Sequence, residues 1–173
     1  GTRRCENGAV DRSGIFTNTE GEAFAGDIVI EAPRLEVRDG GLIASGSLGR
    51  MPGAGGWGRI DILAGSLLLS GVGPDGNPTM ISTQSEGPGR AGDVTIYAGS
   101  LRLEDGARIS SASYGQGPDA GDGGSVYINA NAVATSSKDV TLTLDWTEAN
   151  EFRYSFVDEA DLLKRLFSLL PKG

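Results

Sequence analysis

Four stretches of this chain repeat one pattern: Ala-Gly-Asp-Ile-Val-Ile at 25–30, Trp-Gly-Arg-Ile-Asp-Ile at 57–62, Ala-Gly-Asp-Val-Thr-Ile at 91–96 and Gly-Gly-Ser-Val-Tyr-Ile at 123–128. The shared glycines Gly26, Gly58, Gly92 and Gly124 lie 32, 34 and 32 residues apart. A fixed period of that size is the mark of a solenoid, in which each unit buries its apolar side only against its neighbours. It sets the architecture before any local motif is considered.

Each unit carries three short alternating segments. The first holds Ile28 and Ile30, then Ile60 and Ile62, Val94 and Ile96, and Val126 and Ile128. Period-two alternation puts these on one side of a strand, and Val29, Asp61, Thr95 and Tyr127 on the other. The second holds Leu35 and Val37, Leu67 and Leu69, and Leu101 and Leu103. The third is Leu42-Ile43-Ala44-Ser45, Met80-Ile81-Ser82-Thr83 and Arg108-Ile109-Ser110-Ser111, with an earlier copy at Gly14-Ile15-Phe16-Thr17. Turn signals such as Asp39-Gly40-Gly41, Gly65-Ser66, Gly99-Ser100 and Asp105-Gly106 join them. The expectation is an all-β parallel β-helix over 1–130, of about four to five turns and three strands per turn, with equivalent residues about 4.8 Å apart along the axis. In that register Ile28, Ile60, Val94 and Val126 form one interior column, and Ile30, Ile62, Ile96 and Ile128 the next.

Composition supports this and removes several functions. Glycine supplies 28 of 173 residues and aromatics only 6%, a balance suited to short strands and tight turns. The net charge of −8 argues against nucleic acid as a partner. Histidine is absent, which excludes Ser-His-Asp and Cys-His catalysis and His-ligated zinc. Cys5 is the single cysteine, so no disulfide forms within the chain. No apolar run reaches spanning length, and membrane insertion is not expected. The Asp119-Ala120-Gly121-Asp122-Gly123-Gly124 stretch has a calcium reading, but its acid spacing is irregular and a strand-corner turn accounts for it. The expectation is no catalytic residue, no metal and no cofactor.

The text Arg-Ala-Gly-Asp-Val-Thr-Ile-Tyr-Ala-Gly-Ser-Leu-Arg-Leu-Glu-Asp-Gly-Ala-Arg-Ile-Ser at 90–110, looser at 25–45 and 57–83, resembles the repeats of filamentous-haemagglutinin-type exoproteins. These are large surface proteins exported by two-partner secretion in Gram-negative bacteria and cyanobacteria. The resemblance covers roughly 12–130 and implies a right-handed β-helix, a secreted or cell-surface location, and a non-enzymatic stalk or adhesive role. The Asn-Pro-Asn-Gly type motif of that family's secretion domain is not found in this chain. The chain, opening at Gly1-Thr2-Arg3-Arg4, therefore reads as a passenger or C-terminal piece of a larger exoprotein, or as a subunit of a surface assembly. The rival function is a polysaccharide-processing lyase or hydrolase, which needs carboxylates converging from neighbouring rungs. Asp27, Arg59 and Asp93 stack in the expected register, as do Glu36 and Arg102 around Leu68, and a surface charge ladder is the plainer reading. Trp57, Tyr97, Tyr114 and Tyr127 are the candidate binding residues, for a cell-surface glycan or another protein subunit.

Beyond Ala130 the repeat text ends, and 131–173 forms a separate tail. Val140-Thr141-Leu142-Thr143-Leu144 alternates as a strand. Residues 158–170 carry a helical pattern with Asp158 as N-cap and Pro171 as the stop. Its face Leu163, Leu166, Phe167 and Leu170 is expected to cap the solenoid or to dock on a partner, including tail-mediated or end-to-end self-assembly. Burial is worth about 1.5–3 kcal/mol for each such side chain, and a lone helix this short is marginal. Deleting 158–173 is accordingly expected to promote aggregation or change the oligomeric state, measured by light scattering and thermal melting. A truncated protein with unchanged melting and unchanged mass would remove the role given to this segment.

Overall fold

A computed structural model describes residues 3–4, 10–115, 120–135 and 153–155, with side chains described over 12–115 and 120–134. The 158–170 helix and the 140–144 strand lie outside these residues. The described chain is all-β: β1 (Arg3–Arg4), β2 (Val10–Asp11), β3 (Gly14–Thr19), β4 (Ile28–Arg38), β5 (Leu42–Ser47), β6 (Ile60–Ser70), β7 (Met80–Ser85), β8 (Val94–Glu104), β9 (Arg108–Ser113), β10 (Val126–Ala130), β11 (Val133–Thr135) and β12 (Arg153–Ser155). Apart from the antiparallel β1–β2 pair, these strands pair in parallel with the strand one repeat away. One sheet runs β12-β10-β8-β6-β4, with β11 beside β8, and the other β3-β5-β7-β9. The result is a β-solenoid of about four turns.

The opening-segment columns form in the register the repeat predicts. Ile28 pairs with Ile60, Ile60 with Val94, and Val94 with Val126; Ile30, Ile62, Ile96 and Ile128 follow two positions on. All eight belong to or pack against one core, with Ile60, Val94 and Ile96 fully buried. A third column, Ile15, Ile43, Ile81 and Ile109, comes from the third segments.

The three-segment pattern is present in the side chains but not in the hydrogen bonding. The first and second segments form one 11-residue strand in β4, β6 and β8. Along β6, Ile60, Ile62 and Ala64 are buried, then Leu67 and Leu69, so the alternation slips by one residue across Gly65 and Ser66. The wall bends there while its ladder continues, because Gly65 brings no side chain to the corner and its Cβ position would lie 2.5 Å from the Pro33 carbonyl oxygen.

The repeat glycines are held by contact. A Cβ on Gly92 would fall on the Gly58 carbonyl oxygen, one on Gly58 on that of Gly26, and one on Gly124 on that of Gly92. Hydroxyls of the third segment seal this approach. Thr17 Oγ1 and Ser45 Oγ donate to the Gly26 carbonyl at 2.6 and 3.0 Å, and Thr83 Oγ1 and Ser111 Oγ to that of Gly92 at 2.5 and 2.8 Å. Ser45 and Thr83 are buried, and these bonds satisfy their hydroxyls.

The two ends differ. At the first, Ile15 is 50% exposed and Ile30, Leu35 and Val37 are only partly covered, whereas Ile109, Val126 and Ile128 at the other are buried. Pro33 belongs to β4, which among the described strands is the last of its sheet on that first side. Its counterpart three turns on, Asn131, donates its backbone N–H to the Ala98 carbonyl of the preceding turn at 3.3 Å. Proline, which has no N–H, thus stands in the turn with no described strand beneath it to accept one.

Gly92→Ala should destabilise the fold by about 1–3 kcal/mol, because the added methyl meets the Gly58 backbone of the rung before it. Ile96→Asp should be worse, as it buries a carboxylate among aliphatic neighbours. Urea unfolding followed by far-ultraviolet circular dichroism measures both.

Candidate functional site

The loops that follow each third segment form one corner of the solenoid. Leu48 N–H donates to the Thr19 carbonyl, Glu86 N–H to that of Ser47, and Tyr114 N–H to that of Ser85, at 2.7, 2.9 and 2.7 Å. Those bonds stack Leu48, Glu86 and Tyr114 as successive rungs. The next residues are Gly49, Gly87 and Gly115, and a Cβ on Gly87 or Gly115 would press on the carbonyl oxygen of the glycine before it. A bare strip of backbone results, and an open groove of about 780 Å³ lies along it, lined by Arg50, Pro52, Glu86, Gly87, Pro88 and Tyr114 among others.

Charge in the groove is closed on itself. Arg50 Nε and Nη2 both donate to Glu86 Oε2, at 3.0 and 2.5 Å. Arg50 is well exposed, Glu86 is partly shielded, and the Tyr114 side faces solvent at 56% exposure. Because these residues come from the loops of three successive turns, the ladder register alone brings them together.

A second cluster lies where the same loops return to the opening strands. The Trp57 ring meets Phe24 edge-on at 6.2 Å, and the Arg90 guanidinium lies 6.0 Å from the Trp57 ring centre. A Cβ on Gly56 would lie 3.1 Å from the Arg90 carbonyl oxygen, so the two loop backbones run close together beside the indole's own rung. Arg90 is anchored by Asp93 Oδ1 at 2.8 Å and by the Gly123 carbonyl at 3.3 Å. Arginine against an aromatic face is a favourable cation–π geometry.

The four aromatic residues singled out from sequence occupy three places. Tyr114 lines the groove and Trp57 belongs to the Phe24–Arg90 cluster. Tyr97 and Tyr127 sit on the outer face of the opening wall, 5.7 Å apart and tilted by 56°, so they do not make a flat platform. Arg50, Glu86, Phe24 and Arg90 were missed, although the offset of the first two from Ser47 and Ser85 is readable once those serines are seen to end the third segments.

The charged residues pair differently from a continuous ladder. Asp27 meets Arg59 at 3.6 Å, but Arg59 lies closer to Asp61, at 2.9 Å, and Asp93 turns to Arg90. Asp27 Oδ1 accepts the Arg59 backbone N–H at 2.9 Å, and Asp93 Oδ1 accepts that of Ser125 at 2.7 Å. The recurring Asp after the repeat glycine therefore closes a backbone bond to the next rung. Glu36 does not reach Arg102; it accepts from Arg34 and Arg38 on its own strand, at 2.5 and 2.9 Å, while Arg102 pairs with Glu104. Among the described residues no group of three His, Cys, Asp or Glu side chains is placed to hold a metal ion. Asp122 accepts the Ala91 N–H through its backbone carbonyl at 2.8 Å, as a strand-corner residue does. No described helix is long and apolar enough to cross a membrane.

Comparison with family models, with curated proteins and with solved structures finds no match to this chain.

The Glu36 pair makes a titration prediction. Hydrogen bonds from Arg38 and then Arg34 hold the Glu36 carboxyl below the ordinary glutamate range. The folded value is depressed, so the associated stabilisation is present above the unfolded value and fades as pH falls through the folded one. Carboxyl-detected NMR should find Glu36 titrating below a model glutamate, and Arg38→Ala should return it upward.

Proposed function

We propose that this chain is a non-enzymatic structural or adhesive β-helix, right-handed like the haemagglutinin-type repeats it resembles, and part of a larger surface exoprotein or assembly. In this reading the ladder is a stalk that spaces and stiffens, and the loop corner is the contact surface. It is secreted or displayed on the surface of a Gram-negative bacterium or cyanobacterium.

The observation that carries the reading is the division of labour between wall and corner. The walls repeat with little variation, while the loops after the third segments differ in length and hold the groove and the exposed Phe24, Trp57 and Tyr114. Binding residues are disproportionately carried on loops held by a rigid frame. A polysaccharide lyase or hydrolase calls for carboxylates converging in a cleft. Within the groove Glu86 is engaged by Arg50, and outside it Asp27 and Asp61 flank Arg59 on an open face.

Fluorescently labelled protein should bind bacterial or host cells saturably in flow cytometry. It should release no product from polygalacturonate or alginate over prolonged incubation. Turnover of either polymer that disappears in Asp61→Asn would replace this reading with the enzymatic one, and absence of saturable binding to every surface tested would remove the adhesive role.

A further inference from the structure

We propose that the corner groove binds a neutral, hydroxyl-rich saccharide chain, gripped by Arg50, Glu86 and Tyr114. This rests on the non-enzymatic surface reading and specifies what that surface takes.

The chemistry of the groove selects the ligand. Tyr114 presents a half-exposed ring at the rung next to Glu86. A pyranose has an apolar face of C–H groups that covers such a ring, and an edge of hydroxyls that both donate and accept. The Arg50–Glu86 contact uses Nε, Nη2 and Oε2, which leaves the Arg50 Nη1 donor and the Glu86 Oε1 acceptor outside the pair's own bonds. A donor and an acceptor carried by one ion pair can serve different hydroxyls of the same chain, and hydrogen bonds to charged groups are the stronger kind.

The same pairing disfavours an anionic chain. Arg50 is the cation among the residues lining the groove, and Glu86 neutralises it. A sulfated or uronate-bearing polymer would have to break that pair and approach a chain of net charge −8. A neutral ligand keeps the pair intact.

Size and stiffness agree with an oligosaccharide rather than a single sugar. A volume of about 780 Å³ spread over the loops of three turns exceeds one ring. Pro52 and Pro88 restrict the loops that wall the groove, and the stacked glycines beneath are locked by backbone contact. A site ordered before the ligand arrives loses less on binding.

A printed array of neutral and anionic glycans, followed by titration calorimetry on the soluble form of any hit, tests the assignment. The expected result is binding of at least one neutral oligosaccharide, insensitive to added salt. Tyr114→Ala and Glu86→Gln should each weaken it about tenfold. Circular dichroism and melting of these variants should stay unchanged, since Tyr114 is exposed and Glu86 lies in a loop. Binding confined to sulfated or uronate glycans, binding unaffected by Tyr114→Ala, or no glycan bound at all would each overturn the proposal. Cell binding that persists in Tyr114→Ala would preserve the surface reading while removing the groove from it.

Discussion

The contact between a glycine carbonyl of one rung and the glycine of the next is what the rest of this solenoid depends on. Gly26, Gly58, Gly92 and Gly124 approach so closely that no side chain fits between them. The hydroxyls of Thr17, Ser45, Thr83 and Ser111 close on two of those carbonyls from the third wall. Once that corner is fixed, the next strand begins in a set register. Ile60 then lies over Ile28 and Val94 over Ile60, and a one-residue slip would turn the aliphatic column outward. The dry columns supply the burial, and the glycine corner supplies the alignment.

That ordering explains where the molecule tolerates change. The excursion at 72–79 is an insertion at one corner, and it is tied down locally. Val72 bridges to Pro78, the Asp75 carboxylate accepts both the side chain and backbone N–H of Asn77, and Arg12 reaches the Pro78 carbonyl. Thr79 then restores the ladder: its hydroxyl accepts the Gly40 N–H and donates to the Ser70 carbonyl. The longer loop at 48–57 likewise returns to Gly58 and supplies Arg50, Pro52 and Trp57 to the surface on its way.

The core was legible in the sequence because two periods coincide there. Alternation names the inward residues of each strand, and the repeat of 32 to 34 residues says which of them stack. The bend at Gly65 was legible as a turn, but its continuous hydrogen bonding was not, since a ladder can bend where the alternation breaks. The groove was less legible. Arg50 and Glu86 come together because Ser47 and Ser85 end their strands at the same level, and the unequal loops that follow hide the correspondence. Charge pairing was the hardest to read. Arg59 has Asp27 on one rung and Asp61 on its own strand, and side-chain reach rather than register decides between them. The pairing of Arg153–Ser155 as a further rung on Val126–Ala130 falls where the repeat text gives no signal.

Pro33 gives the ladder a polarity. A parallel β-edge is ordinarily a template on both of its sides, and a stack of such edges resembles a crystal that can grow from either face. On the side of β4 facing away from β6, any strand laid beside it meets a proline ring where Gly65, Gly99 and Asn131 carry an amide, so a layer there forms with one ladder hydrogen bond fewer than the layers above.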